Sequence, residues 1–359
     1  MSTPMEFSGR VVFISQDFML VDVFNGIADR LRARGVEVIR GPESVPGQKV
    51  VFARERWAEW FGRAEVAMFS SRNVCTREIM DYAPRLRGIV NPTIGLETID
   101  LDAANDLAII VGHGATPENF LSMAEATVML MLMLMYNPRA TEEVMRGKRA
   151  RPKPTPTDMW AGMMLGRTVG LVGLGRIARG VVDRLAGFGV KLVAFDPYVR
   201  QDDVPANVSM VDLDTLLKTS DIVGLFVSIT AETRGMIDAR ALSMMKPTAY
   251  LVNTSRGDAV DELALYQALK EKHIAGAALD TFVVEPLAQD SPLRTLDNVI
   301  LTPHMVGHTR NVFASFGVAG EENITRILRG EPPLHCKNPA IIPAWRQRLL
   351  RLPPEPLTQ

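Results

Sequence analysis

The chain has 359 residues, which corresponds to roughly two domains of about 150 residues each. Hydrophobic residues make up 47% and charged residues 23% of the sequence, and these ordinary values exclude a disordered, collagen-like or coiled-coil protein. Lysine and arginine number 40 against 41 aspartates and glutamates, so the chain lacks the basic excess of proteins that bind nucleic acid.

Short β-branched runs alternate with helical patterns over the first third of the chain. An amphipathic helix is predicted at 21–34 and ends before Gly35. The predicted strands are 11–14, 36–39, 66–69, 88–90 and 108–111. Because strands alternate with helices, this part is predicted to form βαβ units around a mostly parallel sheet.

A long helix is predicted from about Asn119 to about Met145. Its most apolar stretch, 126–136, is shorter than the about 20 residues that cross a membrane, so we interpret it as a core helix. A Met-rich groove for a partner is the alternative interpretation. The basic, proline-rich segment 146–158 that follows is predicted to be a solvated loop between two domains; binding to a phosphate backbone is the alternative.

A second alternation of strands and helices begins at Thr168. The predicted strands are 168–172, 191–195, 222–226, 249–252, 275–279 and 299–301. Six parallel strands with a glycine-rich first turn predict a doubly wound dinucleotide-binding fold. From Gly330 onward the tail is rich in proline, and we expect it to wrap the surface.

The glycine-rich turn closes the first of these strands and opens a helix. Gly173 permits a tight turn, Gly175 lets the backbone approach a pyrophosphate, and Ala178 fills a position where a small residue allows close packing. The free N–H groups at the start of the helix attract phosphates. A glycine-rich turn without a ligand is the alternative interpretation.

An aspartate follows the next strand, where it governs the choice of dinucleotide. A carboxylate at Asp196 hydrogen-bonds the two ribose hydroxyls and repels a 2′-phosphate, which predicts NAD rather than NADP. Arg200 follows closely and would weaken this preference.

Three later segments each end a predicted strand with a reactive side chain. One delivers Arg256, the second delivers Asp280 and Glu285, and the third delivers His304. Ligands of open α/β sheets bind beyond the carboxyl ends of the strands, so these side chains are predicted to converge beside the cofactor.

Together these motifs resemble the D-isomer-specific 2-hydroxyacid dehydrogenase family, over about residues 66 to 344. The resemblance implies a two-domain α/β protein with doubly wound parallel sheets: a Rossmann NAD-binding domain at 119–309 and a flavodoxin-like substrate domain at 1–118 and 310–359. It also implies an active site in the cleft between the domains and a homodimer.

The resemblance also assigns residues to roles. Arg256 matches the substrate-binding arginine, Glu285 the partner of the histidine, and His304 the general acid/base. The implied cofactor contacts are Gly173, Gly175, Arg176, Ile177, Asp196, Thr230, Thr254 and Asp280. The implied substrate contacts, besides Arg256, are Ser71, Ile94 and Gly95.

The residue types suit the oxidation of a 2-hydroxy acid, which removes a hydroxyl proton and a hydride. An imidazole can take the proton near neutral pH, and a carboxylate on its other nitrogen fixes the tautomer. A guanidinium binds a carboxylate through two parallel hydrogen bonds and polarises the reacting oxygen. We therefore expect an NAD-dependent oxidoreductase that interconverts a D-2-hydroxy acid and its 2-keto acid.

Several alternatives stay open. An NAD(H)-sensing, corepressor-like interaction protein on the same fold is the rival from another class, whereas formate oxidation is disfavoured by Glu285. His113 and His308 either line the substrate site or are ordinary loop residues, and Arg72 either binds an anionic substrate tail or is a surface charge. We expect no metal site and no membrane span.

We also expect a reduced, cytoplasmic setting. The chain has two cysteines, too few for a disulfide framework, and its N-terminus is mixed and lacks an apolar stretch.

Overall fold

The computed structural model describes residues 6–45, 48–151 and 161–353, and in it the chain divides into two units. One unit comprises residues 1–119 with 309–359, and the other comprises residues 120–308. Most of the basic segment predicted as a loop at 146–158 lies outside the described residues, which resume at 161.

The strands and helices alternate along both units. The strands are β1 Val11–Ile14, β2 Glu37–Arg40, β3 Val66–Met68, β4 Gly88–Asn91, β5 Ile110–His113, β6 Thr168–Val172, β7 Lys191–Phe195, β8 Val208–Met210, β9 Ile222–Leu225, β10 Tyr250–Asn253, β11 Gly276–Leu279 and β12 Val299–Leu301. The helices are α1 Val21–Ala33, α2 Trp57–Phe61, α3 Arg77–Tyr82, α4 Leu101–Asp106, α5 Pro117–Tyr136, α6 Pro138–Met145, α7 Arg176–Leu185, α8 Leu213–Thr219, α9 Ala239–Met244, α10 Glu262–Lys270, α11 Arg310–Leu328 and α12 Ile342–Leu349.

The first unit contains a parallel sheet in the order β2-β1-β3-β4-β5. This is the flavodoxin-like order, as predicted. Strands β1, β3 and β4 are almost wholly apolar and buried because helices cover both faces of such a sheet, whereas the edge strand β2 is exposed or half-buried. Helix α11, from the C-terminal part of the chain, packs on this sheet through side chains such as Val312 and Ile324, both fully buried.

The second unit contains a parallel sheet in the order β12-β11-β10-β9-β6-β7-β8, which is a doubly wound Rossmann arrangement. The prediction of six strands was wrong by one, since the described residues form seven. The missed strand, β8, has three residues at the sheet edge, and only Val208 of them is buried. So short and partly exposed a strand leaves no run of apolar residues in the sequence.

The prediction of one helix from Asn119 to Met145 was also wrong. The segment forms α5 and α6, separated by Asn137, whose φ of 43° lies in the left-handed region that Asn tolerates. The Asn137 side chain accepts a hydrogen bond from the N–H of Ala140, and Pro138 occupies the first position of α6, where its missing N–H costs nothing.

Helix α5 carries the apolar stretch 126–136. It spans 20 residues, and among the described residues it is the one helix long and apolar enough to cross a membrane by length and composition. Half of its most apolar window is buried, and Leu130 and Met131 pack fully buried against the strands of the second unit. This packing is what the sequence predicted for a core helix.

The tail does more than wrap the surface, so that prediction needs correction. Helix α12 places Trp345 in the core of the first unit, where the indole is 0% exposed. Its Nε1–H donates a hydrogen bond to the carbonyl oxygen of Arg87 at 2.8 Å. A buried Trp finds such a partner for its N–H, which fixes how α12 sits on the sheet.

A carboxylate buried in the first unit is surrounded by arginines. Glu65 is 1% exposed, and its Oε2 lies 2.9 Å from Arg10 Nη1 and 2.7 Å from Arg87 Nε. Arg85 Nη2 lies 3.7 Å from Oε1. Removing one partner from a buried ion-pair network leaves uncompensated charges, so this cluster holds the amino end of β3 in place.

Replacing Glu65 by glutamine is expected to lower the free energy of unfolding by about 3 kcal/mol, because the buried Arg85 and the half-buried Arg10 and Arg87 then face a neutral amide. Urea unfolding measures the change. Glu37→Gln is the matched control, since Glu37 pairs with Arg63 on the surface and its loss should cost less than about 1 kcal/mol. Equal losses in the two variants would contradict this role.

Candidate functional site

The glycine-rich turn joins β6 to α7 as the sequence predicts. Gly173 has a φ of 93°, and a Cβ there would lie 2.8 Å from the carbonyl oxygen of Phe226. Gly175 is the N-cap of α7 with a φ of −75°, and a Cβ built on it meets no atom within 4 Å. The first glycine is thus required by the backbone, whereas the second faces open space.

That open space suits the pyrophosphate of a dinucleotide. Helix α7 begins at Arg176, so its first N–H groups and the positive end of its dipole point out of the turn. The guanidinium of Arg176 stacks over the ring of Phe120 at 4.9 Å from its centroid, and Ile177 follows in the first helical turn.

Asp196 lies just past the end of β7 and is fixed by the same turn. Its Oδ2 accepts a hydrogen bond from the N–H of Leu174 at 2.9 Å, and its Oδ1 accepts one from the N–H of Tyr198 at 2.9 Å. The carboxylate is only partly buried, so its free lone pairs remain available to a ribose. Arg200 is exposed close by.

The two predicted threonine contacts have other partners in the structure. The Thr230 hydroxyl donates to Glu232 Oε2 at 2.5 Å in an exposed loop after β9. Thr254 is nearly buried, and its hydroxyl lies 3.0 Å from that of Thr127 on α5. Their contacts to a cofactor stay predictions.

The loop that carries Arg256 is held by the last residue of β10. The buried Asn253 accepts hydrogen bonds through Oδ1 from the Ser255 N–H at 3.0 Å and the Ser255 hydroxyl at 2.8 Å, and its Nδ2 donates to the Arg256 carbonyl at 2.9 Å. The partly buried Arg256 donates from Nη1 to the Ser255 carbonyl at 2.8 Å. The hydrogen bonds of the Asn253 side chain fix the backbone from which the guanidinium projects.

The same pattern of hydrogen bonds from an Asn side chain occurs in the first unit, at the predicted substrate loop. Asn91 ends β4, and its Oδ1 accepts from the N–H and the hydroxyl of Thr93 at 3.0 and 2.9 Å. Its Nδ2 donates to the carbonyl of Gly95 at 2.6 Å, beside the partly buried Ile94. Asn91 and its counterpart Asn253 were not among the predicted site residues. Asn at a strand end, with Thr or Ser two residues later, is the signal that would have identified both.

His304 and Glu285 are in direct contact. His304 Nδ1 lies 2.8 Å from Glu285 Oε2 and 3.0 Å from Oε1, and Oε1 also accepts from the Phe282 N–H at 3.1 Å. Both side chains are partly exposed, 45% and 37%. His304 has a φ of 55°, an uncommon conformation for a residue other than glycine, which indicates that the surrounding loop enforces its position.

Charges around Glu285 decide its ionisation. Burial by itself raises the pKa of this carboxyl, but the hydrogen bond and charge of His304, the Phe282 N–H and the charge of Arg256 outweigh it and bring the pKa below its ordinary value. Glu285 is therefore a carboxylate at neutral pH, with its negative charge against the imidazole.

Asp280 supports the loop that bears His304. It is 1% exposed, and its Oδ1 accepts from the Thr302 hydroxyl at 2.7 Å, the Met305 N–H at 3.0 Å and the Val306 N–H at 3.2 Å. Burial raises the pKa of Asp280, and these hydrogen bonds partly offset the effect. The residues on both sides of His304 are thus tied to one buried carboxyl.

The remaining candidates lie elsewhere. In the first unit, Ser71 follows β3, next to β4 in the sheet, and His113 ends β5. His308 is exposed. No group of three or more His, Cys, Asp or Glu residues that could hold a metal ion occurs within the described ranges.

Comparison with known proteins places these features in a family. A sequence model described as "D-isomer specific 2-hydroxyacid dehydrogenase, NAD binding domain" matches residues 106–306. The chain is similar to a D-3-phosphoglycerate dehydrogenase of Methanocaldococcus jannaschii, 36% identical over 84% of this chain but only 56% of that protein, so it spans about half the length of that relative.

Two further likenesses cover more of the other protein. A glyoxylate reductase of Thermofilum pendens is 39% identical over 74% of this chain and 78% of its own length. The solved structure of a 2-hydroxyacid dehydrogenase from Ketogulonicigenium vulgare has a TM-score of 0.78 and 25% identity, and it covers 92% of this chain and 98% of that one.

Proposed function

The chain belongs to the D-isomer-specific 2-hydroxyacid dehydrogenase family, and on this basis we propose that it interconverts a D-2-hydroxy acid and its 2-keto acid with NAD(H). The observation that carries the proposal is the contact of His304 Nδ1 with the Glu285 carboxylate. An imidazole oriented by a carboxylate is the usual arrangement of a general acid/base.

His304 handles the proton. Because Nδ1 faces Glu285, Nε2 is the atom that donates a proton to the keto oxygen in reduction and accepts it from the hydroxyl in oxidation. The carboxylate of Glu285 stabilises the protonated ring and keeps its orientation. When bound, the nicotinamide supplies or accepts the hydride.

Arg256 handles the charge of the substrate. A guanidinium binds a carboxylate through two parallel hydrogen bonds, and it stabilises negative charge that develops on the neighbouring oxygen. Asn253 fixes the backbone of Arg256, so the guanidinium projects from a rigid base. In the first unit, the Ile94–Gly95 backbone, braced by Asn91, offers N–H groups to an anionic ligand. Ser71 follows β3, the strand next to β4 in the sheet.

The dinucleotide is held by the turn at 173–177, and Asp196 favours NAD. A 2′-phosphate would be repelled by the Asp196 carboxylate. Two backbone N–H groups hold this carboxylate in place, so rotation of the Asp196 side chain cannot relieve the repulsion. Comparison of kcat/KM for NADH and NADPH with one keto acid tests this preference, and faster turnover with NADPH would reverse it.

The two glycines of the turn are expected to respond differently to alanine. Gly175→Ala should leave the unfolding temperature unchanged but weaken NADH binding by at least about tenfold, because the new methyl group fills only the space meant for pyrophosphate. Gly173→Ala should destabilise the protein, because the residue has a positive φ and a carbonyl oxygen 2.8 Å from the new Cβ.

Fluorescence titration with NADH and thermal unfolding of the two variants provide the measurements. Unimpaired NADH binding by the folded Gly175→Ala variant would remove the turn from the cofactor site.

A panel of 2-keto acids with NADH, followed by the loss of absorbance at the nicotinamide band, tests the proposed activity. We expect reduction of at least one of glyoxylate, hydroxypyruvate, pyruvate or sugar-derived keto acids, and D products where the product is chiral. Binding of NADH without turnover of any of them would contradict the proposal and favour an NAD(H)-sensing interaction protein.

A further inference from the structure

A buried carboxylate and a partly exposed guanidinium meet at the carboxyl edge of the first sheet. Asp17 lies in the loop after β1 with a side chain 0% exposed, and Arg72 lies in the loop after β3 with a side chain 32% exposed. Arg72 Nη1 is 3.1 Å from Asp17 Oδ2, and Asp17 Oδ1 accepts from the Met19 N–H at 2.9 Å. The pair is thus fixed in place and neutral as a whole.

The guanidinium has further contacts that hold it on Asp17. Its Nη2 lies 3.0 Å from the sulfur of Met19, and its central carbon lies 5.1 Å from the centroid of the Phe18 ring. A cation over an aromatic face is favourable, so the loop after β1 provides three separate contacts to this one side chain.

This pair adjoins the predicted substrate loop. Strand β3 lies between β1 and β4 in the sheet, so the loops that follow these strands are neighbours. The Cys75 N–H donates to the Thr98 carbonyl at 2.9 Å, and the Thr98 hydroxyl lies 3.4 Å from the Ser70 carbonyl. The loop that carries Arg72 is thereby tied to the loop that carries Ile94 and Gly95.

The charge of this edge is unfavourable for a second anionic group on the substrate. The loops concerned are 15–20, 69–76 and 92–100. These loops carry Arg72 against the carboxylates of Asp17, Glu97 and Asp100. The segment 41–50 after β2, which pairs with 69–76 through Val50, adds Lys49 and Glu43, so carboxylates outnumber basic side chains. A phosphoryl group brings a charge of about −1.5 to −2 at neutral pH. If Arg72 turned toward it, Asp17 would stay buried without its cation, which is strongly disfavoured.

Building on the proposed function, we propose that the Arg72–Asp17 pair makes this enzyme select 2-keto acids with a small uncharged side group over phosphorylated ones. The pair acts by neutralising the arginine that would otherwise attract a phosphate. The relatives are named for a phosphorylated substrate, 3-phosphoglycerate, and for an unphosphorylated one, glyoxylate. The proposal assigns this enzyme to the unphosphorylated type.

Hydroxypyruvate and 3-phosphohydroxypyruvate differ only in the phosphoryl group and therefore test the proposal directly. We expect kcat/KM with NADH to be at least about tenfold higher for hydroxypyruvate. Asp17→Asn keeps the oxygen that accepts the Met19 N–H but releases the positive charge of Arg72, and it should shift the ratio of the two kcat/KM values about tenfold or more toward the phosphorylated acid.

Asp106→Asn is the matched control, since Asp106 pairs with Arg77 on the surface of the same unit and its loss should leave the ratio unchanged. Thermal unfolding checks that Asp17→Asn is folded. Equal or better use of 3-phosphohydroxypyruvate by the wild type would overturn the proposal, as would an unchanged ratio in the folded Asp17→Asn protein.

Binding measurements distinguish a failure of the proposed selectivity from a failure of the proposed dehydrogenase activity. Calorimetry measures D-glycerate and D-3-phosphoglycerate binding to the protein saturated with NADH, a combination in which no hydride can be transferred. Tighter binding of D-glycerate, together with no turnover of any keto acid of the panel, would refute the dehydrogenase activity but support the selectivity. Tighter binding of D-3-phosphoglycerate would refute the selectivity whether or not the enzyme turns over.

Discussion

Replacing Arg256 by alanine is expected to lower kcat/KM for 2-keto acid reduction by at least about 10²- to 10³-fold. The loss combines the missing anchor for the carboxylate with the missing charge beside the reacting oxygen. Arg256→Lys should recover only part of the activity, because an ammonium keeps the charge but not the two parallel hydrogen bonds of a guanidinium. Steady-state kinetics with the best keto acid of the panel gives both values.

Arg240→Ala is the control for this experiment. Arg240 is exposed in the same unit and pairs with Asp214 at 2.7 Å, so its removal takes away an arginine without touching the Arg256 loop. Kinetics within about threefold of the wild type are expected for this surface pair. The same near-normal kinetics in Arg256→Ala would remove Arg256 from the mechanism.

Replacing His304 is expected to lower kcat by about 10²- to 10⁴-fold, the usual contribution of a general acid/base. Asn is the informative substitution, because His304 has a φ of 55° and Asn tolerates that conformation while lacking a titratable ring. His304→Asn should therefore stay folded, bind NADH normally and lose the dependence of kcat/KM on pH that proton transfer from the imidazole produces.

The exposed His273, whose ring lies 3.6 Å from Glu271, supplies the control, and His273→Asn should behave as the wild type. If His304→Asn loses NADH binding and unfolds at a lower temperature, His304 has a structural role rather than a catalytic one. If it keeps both the rate and its pH dependence, another group transfers the proton.

Much of the fold could be predicted because its buried strands are short apolar runs bounded by turn residues. Strands β1, β6 and β12 have the predicted limits, since each is a run rich in β-branched residues that lies largely buried in the sheet. The break between α5 and α6 was missed because the helical pattern continues across Asn137. The sequence does carry a signal for this break, because Asn137 precedes Pro138 and the residue before a proline disfavours the helical conformation.

The candidate site was predictable where one residue acts at the end of one strand. The rule that strand ends converge brings Glu285 and His304 to one edge of the sheet, and the family resemblance assigns them as partners. The pairing of Arg72 with Asp17 could not be predicted, because the two lie in loops after different strands and meet only through the alignment of β1 with β3.

The first unit is assembled from both ends of the chain, and this has a consequence for its synthesis. Val312, Phe316 and Trp345 belong to the same core as Val12 and Ile14, although the whole second unit lies between them in sequence. During synthesis the ribosome completes the second unit before it makes α11 and α12. Until then, the strands of the first unit keep apolar faces exposed. Nascent chains that lack α11 and α12 are therefore the species most exposed to aggregation, and the ones for which chaperone protection matters.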